Sequence, residues 1–295
     1  MNTRKVSDCL FMVDLRPANI DKFTATYILR GEKTAIIECG PASTAENLLR
    51  GLKELKVGFE EVNYLMISHA HADHWGNAGT ILKHLPNAKL LIHPKGLSHL
   101  ANPQRLWMQS KQVLGEVAEI FGEPTSVPVE RMAPAMDGMV VDLGGGLEVQ
   151  VIETLGHAPH HVSYYECANG ILFPGETAGV YVEDLDITLP ATPPPIMLGK
   201  LFESLGKLVR LNPKILCYTH FGLTDNAVEK LKLHASQLSL WASTIHECLK
   251  NNDSLDFIRD KLMERDPYLK TASDYVKTHP IISRVFKQLI QGFMP

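Results

Sequence analysis

Over about the first 225 residues, short apolar runs bounded by turn residues alternate with segments of helical period. Residues 26–29 and 34–38 read as a hairpin closed through residues 30–33, where Gly31 supplies the turn. A helix is predicted over 43–56, with Leu48, Leu49, Leu52 and Leu55 at helical spacing and Ser43 or Thr44 as its N-cap. Residues 64–68 form a buried strand, followed by a histidine-rich loop and a helix over about 77–84. A strand over 89–93 stops at Pro94, and 103–121 reads as one long helix or two packed ones. A glycine turn at 144–146 introduces a strand over 147–153; the strands 162–166 and 171–173 then pair around Asn169-Gly170. Residues 174–198 are proline-rich, and Pro193, Pro194 and Pro195 rule out a regular helix or central strand there. A helix over 200–211 and a strand over 215–218 complete the pattern. Beyond Asp225 the β signal fades, and the apolar spacing to Gln291 fits about three helices.

This alternation predicts an α/β layered domain over residues 1–225 and a helical extension over 226–295 that shapes its pocket. Two strand ends echo one another: residues 64–69 and 215–220 are apolar runs ending in a hydroxyl residue and then His69 or His220. Strand ends of this kind aim both imidazoles at one edge of a sheet, where α/β folds place their sites.

With 45% hydrophobic and 21% charged residues, the chain is neither a disordered tail nor a disulfide miniature. No apolar run approaches the roughly 18 residues of a membrane span. The apolar stretch at 9–13 lies between Asp8 and Asp14 and is too short for a secretory signal. A net charge of −4 argues against nucleic acid as the main partner. The five cysteines form no C-x-x-C pair, which suits a reducing compartment; the cytoplasm is the expected location.

The densest chemistry is His69-Ala70-His71-Ala72-Asp73-His74. At this histidine content, a chance match to H-x-H-x-D-H is expected on the order of 0.001 times. On a helix, His71 would point about 200° away from His69, so the residues converge only as a loop leaving a strand. His69, His71 and Asp73 then share one side, and a turn brings in His74. Nitrogen and oxygen donors without thiolate suit zinc, manganese or iron.

With this motif the chain resembles the metallo-β-lactamase-fold superfamily of hydrolases over about residues 24–223. Three later segments extend the resemblance: Gly156-His157-Ala158-Pro159-His160-His161, Leu172-Phe173-Pro174-Gly175-Glu176 and Tyr218-Thr219-His220-Phe221-Gly222. The resemblance implies a four-layer αββα sandwich holding two divalent metal ions, zinc first, with iron or manganese as alternatives. It assigns His69, His71 and His157 to one ion and Asp73, His74 and His220 to the other. Glu176 stands where the family usually has a bridging aspartate, and Glu38 where it commonly has aspartate. One more methylene carries a glutamate carboxylate about 1.5 Å further. Glu176 therefore bridges the ions, binds one of them, or leaves both; Glu38 reads as support for the histidine loop.

The resemblance also implies a small-molecule substrate: attack by a metal-bound hydroxide on a lactone, ester or thioester of a small organic acid, with phosphotriesters and β-lactams as promiscuous substrates. Asp73 would orient the hydroxide and take its proton, with Tyr218 and Tyr181 as further oxyanion donors. The alternatives are a mononuclear iron persulfide-type dioxygenase using His69, His157 and Glu176, a phosphodiesterase or nuclease, and a non-enzymatic sensor. His160 and His161 either orient His157, touch substrate or serve the loop. Trp107, Met108, Phe121 and Met132 read as core, and Asp184 and Asp186 as solvated loop carboxylates. A homodimer through the helical tail is a further expectation.

Overall fold

Side-chain alternation along each strand decides which layer a residue joins. In the computed structural model, which describes residues 2–294, a seven-stranded sheet comprises β1 (Thr3–Lys5), β2 (Leu10–Asp14), β3 (Ala25–Arg30), β4 (Thr34–Ile37), β5 (Val62–Met66), β6 (Lys89–Ile92) and β7 (Met132–Pro134) in that order. Its first four strands are antiparallel; β4 to β7 run parallel. Between β4 and β5 lies α1 (Ala45–Glu54). After β5 come two single turns, α2 (Ala72–Trp75) and α3 (Ala78–Ile81), and between β6 and β7 lie α4 (Leu97–Ala101), α5 (Gln104–Leu114) and α6 (Glu116–Phe121).

The second sheet starts with β8 (Val140–Asp142), β9 (Glu148–Glu153), β10 (Val162–Glu166) and β11 (Ile171–Phe173). The chain then leaves it for a separate hairpin, β12 (Val180–Val182) and β13 (Ile187–Leu189), and for α7 (Leu198–Arg210). It returns as β14 (Ile215–Tyr218), parallel to β11, and β15 (Gly222–Thr224).

Within β4, Ala35 and Ile37 face Tyr164 and Phe173 in the core between the sheets, whereas Ile36 faces Leu48 and Leu52 of α1. Across the molecule, Val149 and Val151 of β9 point inward, and Ile152 packs with Leu201, Leu205 and Leu208 of α7. The layers run helix, sheet, sheet, helix. Strands covered on both faces read as nearly continuous apolar runs, which is why 64–68 and 215–218 stood out in the sequence.

The C-terminal helices are α8 (Ala227–Lys250), α9 (Leu255–Arg265), α10 (Pro267–Thr271), α11 (Ser273–Thr278) and α12 (Ile282–Gln291). They share a third core with earlier parts of the chain, in which Trp241, Leu262 and Phe286 meet Phe23, Phe121, Val182 and Leu189. Among the described residues five helices stand where about three were expected, because α10 and α11 are too short to show a period of their own. Other departures have local causes. Gly115 adopts φ +55° and splits the segment 103–121 into α5 and α6. The proline-rich stretch contains the β12–β13 hairpin, whose three-residue strands are too short to show alternation. Among the described residues, no helix is long and apolar enough to cross a membrane.

Asp266 fastens the helical part together. Its carboxylate is fully buried, accepts from Trp241 Nε1 at 2.7 Å and Gln237 Nε2 at 2.9 Å, and caps α10 at the Tyr268 amide, also at 2.9 Å. Asp266→Ala strands these donors and should lower the unfolding free energy by about 3 kcal/mol in a urea titration.

Candidate metal centre

The backbone after β5 sets the first donors. Ile67 and Ser68 continue the strand direction, and the chain then turns so that His69 and His71 precede the single turn α2, which carries Asp73 and His74. The turn is clamped by Trp75 Nε1, which donates to the Ala70 carbonyl at 3.1 Å, and by the Ala70 amide, which donates to His160 Nδ1 at 3.3 Å. Because helical geometry begins at Ala72, Asp73 faces His74 and His220 rather than joining His69 and His71 as the extended-loop reading had it.

Two donor groups result. His69, His71, His157 and Glu176 form one; Asp73, His74 and His220 form the other. His71 Nδ1 lies 2.8 Å from His69 Nε2 and 3.0 Å from His157 Nε2. Glu176 Oε2 is 2.7 Å from His157 Nε2, 3.3 Å from His69 Nε2 and 3.5 Å from His74 Nε2. Its Oε1 is 3.8 Å from His220 Nε2, so the carboxylate stands between the two groups. Asp73 Oδ2 is 3.3 Å from His220 Nε2. The structure therefore brings together all seven residues expected as donors.

Hydrogen bonds behind the rings fix which nitrogen faces inward. His157 Nδ1 donates to the Ala191 carbonyl and His220 Nδ1 to the Phe23 carbonyl, each at 2.9 Å. Glu38 Oε2 lies 3.3 Å from His74 Nδ1, while Oε1 accepts from the Ser68 amide at 3.2 Å. Glu38 thus supports the histidine loop, as expected. In the neutral form of each of these rings Nε2 carries a lone pair directed into the cluster. His161, also fully buried, accepts from the Glu176 amide through Nε2 at 3.2 Å and pairs with Thr154 Oγ1 at 2.9 Å through Nδ1. A Cβ on Gly175 would stand 2.5 Å from that same Nε2, so only glycine fits there.

Burial works against charge throughout the cluster, and the neighbours decide the outcome. It holds His69 and His71 below the ordinary imidazole range, reinforced by adjacent rings. On His74 the Glu38 and Asp73 carboxylates outweigh burial and keep the imidazole well above its usual value. Burial likewise opposes charge on Glu176, yet His157, His69 and His71 hold its carboxyl well below the usual range. His160 is pushed down to about 3, by burial first and then by His71 and His99.

The donors fit a divalent cation. His74 Nε2 is buried without a hydrogen-bond partner, and converging lone pairs of this kind are stable only around positive charge. An all-nitrogen-and-oxygen set is compatible with zinc, manganese or iron. His71, Asp73, Glu176 and His220 open into a cavity of about 460 Å³.

The two tyrosines proposed as oxyanion donors are elsewhere. Alternation along β14 places Tyr218 with Leu216 on the outer face of the sheet, fully buried; its hydroxyl lies 3.4 Å from Thr188 Oγ1. Tyr181 stacks on it, and its hydroxyl donates to Asp186 at 2.7 Å. Neither lines the cavity. Asp186 is an exposed turn carboxylate, as expected, and also pairs with Lys230 at 2.7 Å. Phe121 lies in the core as expected and also lines the cavity, whereas Met108, expected in the core, is exposed. Phe23 and the α12 residues of the cavity carried no signal of their own, because apolar residues on an amphipathic helix read as core.

The sequence model of the metallo-beta-lactamase superfamily matches residues 21–220. The chain belongs to that superfamily. The metallo-beta-lactamase fold-containing protein ST1585 of Sulfurisphaera tokodaii is 25% identical over 234 residues, covering 78% of this chain and 84% of that protein. Its crystal structure superposes with a TM-score of 0.68 at 25% identity, over 78% of this chain and 86% of the other. The Bacillus subtilis protein named probable metallo-hydrolase YybB is 24% identical over 229 residues, 75% of this chain and 91% of its own length. TTHA1429, a metallo-beta-lactamase family protein of Thermus thermophilus, is 19% identical with a TM-score of 0.67; it covers 92% of this chain and 94% of its own, and so shares the fold.

Because Glu38 holds both His74 and the Ser68 amide, Glu38→Gln should weaken metal retention about tenfold in competition with a chelator, with an unchanged circular dichroism spectrum.

Proposed function

We propose that this protein is a metal-dependent hydrolase that opens a lactone, ester or thioester of a small organic acid with two divalent ions, zinc first. The observation that carries this reading is the pair of donor groups with Glu176 between them, opening directly on a cavity. Membership of the superfamily and the name of the B. subtilis relative support a metallohydrolase at the coarser level. In this reading His69, His71 and His157 would hold one ion and Asp73, His74 and His220 the other, with the Glu176 carboxylate standing between the two sets.

Such ions would supply an activated water and an electrophilic site for the substrate carbonyl. The remaining roles fall to the chain. Asp73, at the cavity floor beside His220, orients the attacking water and accepts its proton. The carbonyls of Ala191 and Phe23 keep His157 and His220 in the tautomer that presents Nε2. The apolar walls exclude bulk water from the reacting centre.

Protein purified without added metal should carry two equivalents of zinc, manganese or iron per chain by plasma mass spectrometry. Chelation should abolish hydrolysis of a lactone and thioester panel, and restoring the metal should recover it. His71 has a side chain 35% exposed, so His71→Ala should leave the melting temperature nearly unchanged and lower kcat/KM about a thousandfold. Full activity in metal-replete His71→Ala would sink the assignment. One equivalent of iron with oxygen uptake would replace the hydrolase with the oxygenase reading.

A further inference from the structure

The cavity above the donor cluster has carboxylates at its floor and apolar walls. Asp73 and Glu176 are its charged lining residues, and no lysine or arginine is among the described residues that line it. The polar groups on its walls are neutral: Gln109, Ser110 and Gln112 on α5 and Gln288 on α12. Two cations of the flanking helices are engaged outside it. Lys111 Nζ lies 5.8 Å over the Trp107 ring, and Arg284 pairs with Glu116 at 3.6 Å. Beyond the donor cluster, an anionic substrate group would lose its water against apolar side chains with no countercharge from the chain.

Two apolar faces meet over the floor. Val117 and Phe121 of α6 form one; Ile282, Val285 and Leu289, at helical spacing, form one face of α12 opposite. Phe23 closes the end beside His220, its ring 4.8 Å from that imidazole. Val113, 44% exposed, marks the solvent side.

We propose that this cavity is an acyl pocket that selects uncharged aliphatic acyl groups of several carbons, with Val285 and Leu289 of α12 setting the chain length. The proposal rests on the hydrolase reading, since it names which acyl derivatives that site accepts. Leu106, Val113 and Leu114 of α5 shape one side; the discriminating contacts lie on α6 and α12. Each methylene buried against such walls contributes up to about fourfold in affinity.

The test is kcat/KM of the metal-loaded protein on 4-nitrophenyl acetate, butanoate, pentanoate and hexanoate, and on mono-4-nitrophenyl glutarate. A rise of at least about tenfold from acetate to hexanoate is expected, with the glutarate at least about tenfold below the pentanoate. Val285→Trp should lower the hexanoate-to-acetate ratio at least about tenfold; should that variant not fold, Val285→Phe narrows the same space and carries the same expectation. A flat series in the wild type, or a preference for the glutarate, overturns the proposal. A calorimetric titration of the same metal-loaded protein with 1-octanol separates the two readings. Saturable binding that the Val285 variant weakens supports the pocket even if no ester is cleaved, an outcome that would remove the hydrolase reading alone. Absence of octanol binding overturns the pocket.

Discussion

Seven side chains with lone pairs aimed at one another occupy a small, mostly buried volume, and that crowding is the constraint to which the surrounding structure answers. Without a cation, imidazole nitrogens 2.8 to 3.0 Å apart and two carboxylates in the same space would repel or would have to share protons. The neighbouring groups favour the cation-binding form. Ring protons are drawn outward to the carbonyls of Phe23 and Ala191 and to the Glu38 carboxylate, leaving the inward nitrogens bare.

Those orienting groups come from distant parts of the chain. Phe23 precedes β3, Glu38 follows β4, and Ala191 lies just beyond β13 in the proline-rich segment. The two sheets hold these loops at one end of the sandwich, and the shared core of Phe23, Phe121 and the C-terminal helices holds the cavity walls against them. A change in how the helices pack is thereby felt at the cavity. Phe23 lies in that core, touches His220 through its ring and supports it through its carbonyl.

The cavity divides its work by polarity. Donors and acceptors lie at the floor, where burial strengthens every electrostatic contact, and uncharged walls rise above them. A site built this way separates reaction chemistry from substrate choice. The floor residues all lie within residues 21–220, the span that the superfamily's sequence model matches, whereas the walls draw on α5, α6 and α12, the last of which lies beyond it.

The sequence by itself determined the layered α/β fold, since strands buried on both faces leave unmistakable apolar runs. It also marked the donors, because H-x-H-x-D-H and the later histidine loops concentrate rare side chains at fixed spacing. Glu38 was legible only through the resemblance, since it stands where that family commonly has aspartate. Only the tertiary structure decided that Tyr218 faces away from the site, that Asp73 does not share one side of an extended loop with His69 and His71, and that Glu176 stands between the two donor groups. Each of these depends on where a backbone turns by a single residue, which composition and periodicity do not record. The cavity walls were equally silent, because an apolar residue lining a pocket and one filling a core carry the same hydrophobic signal until the facing helix is in place.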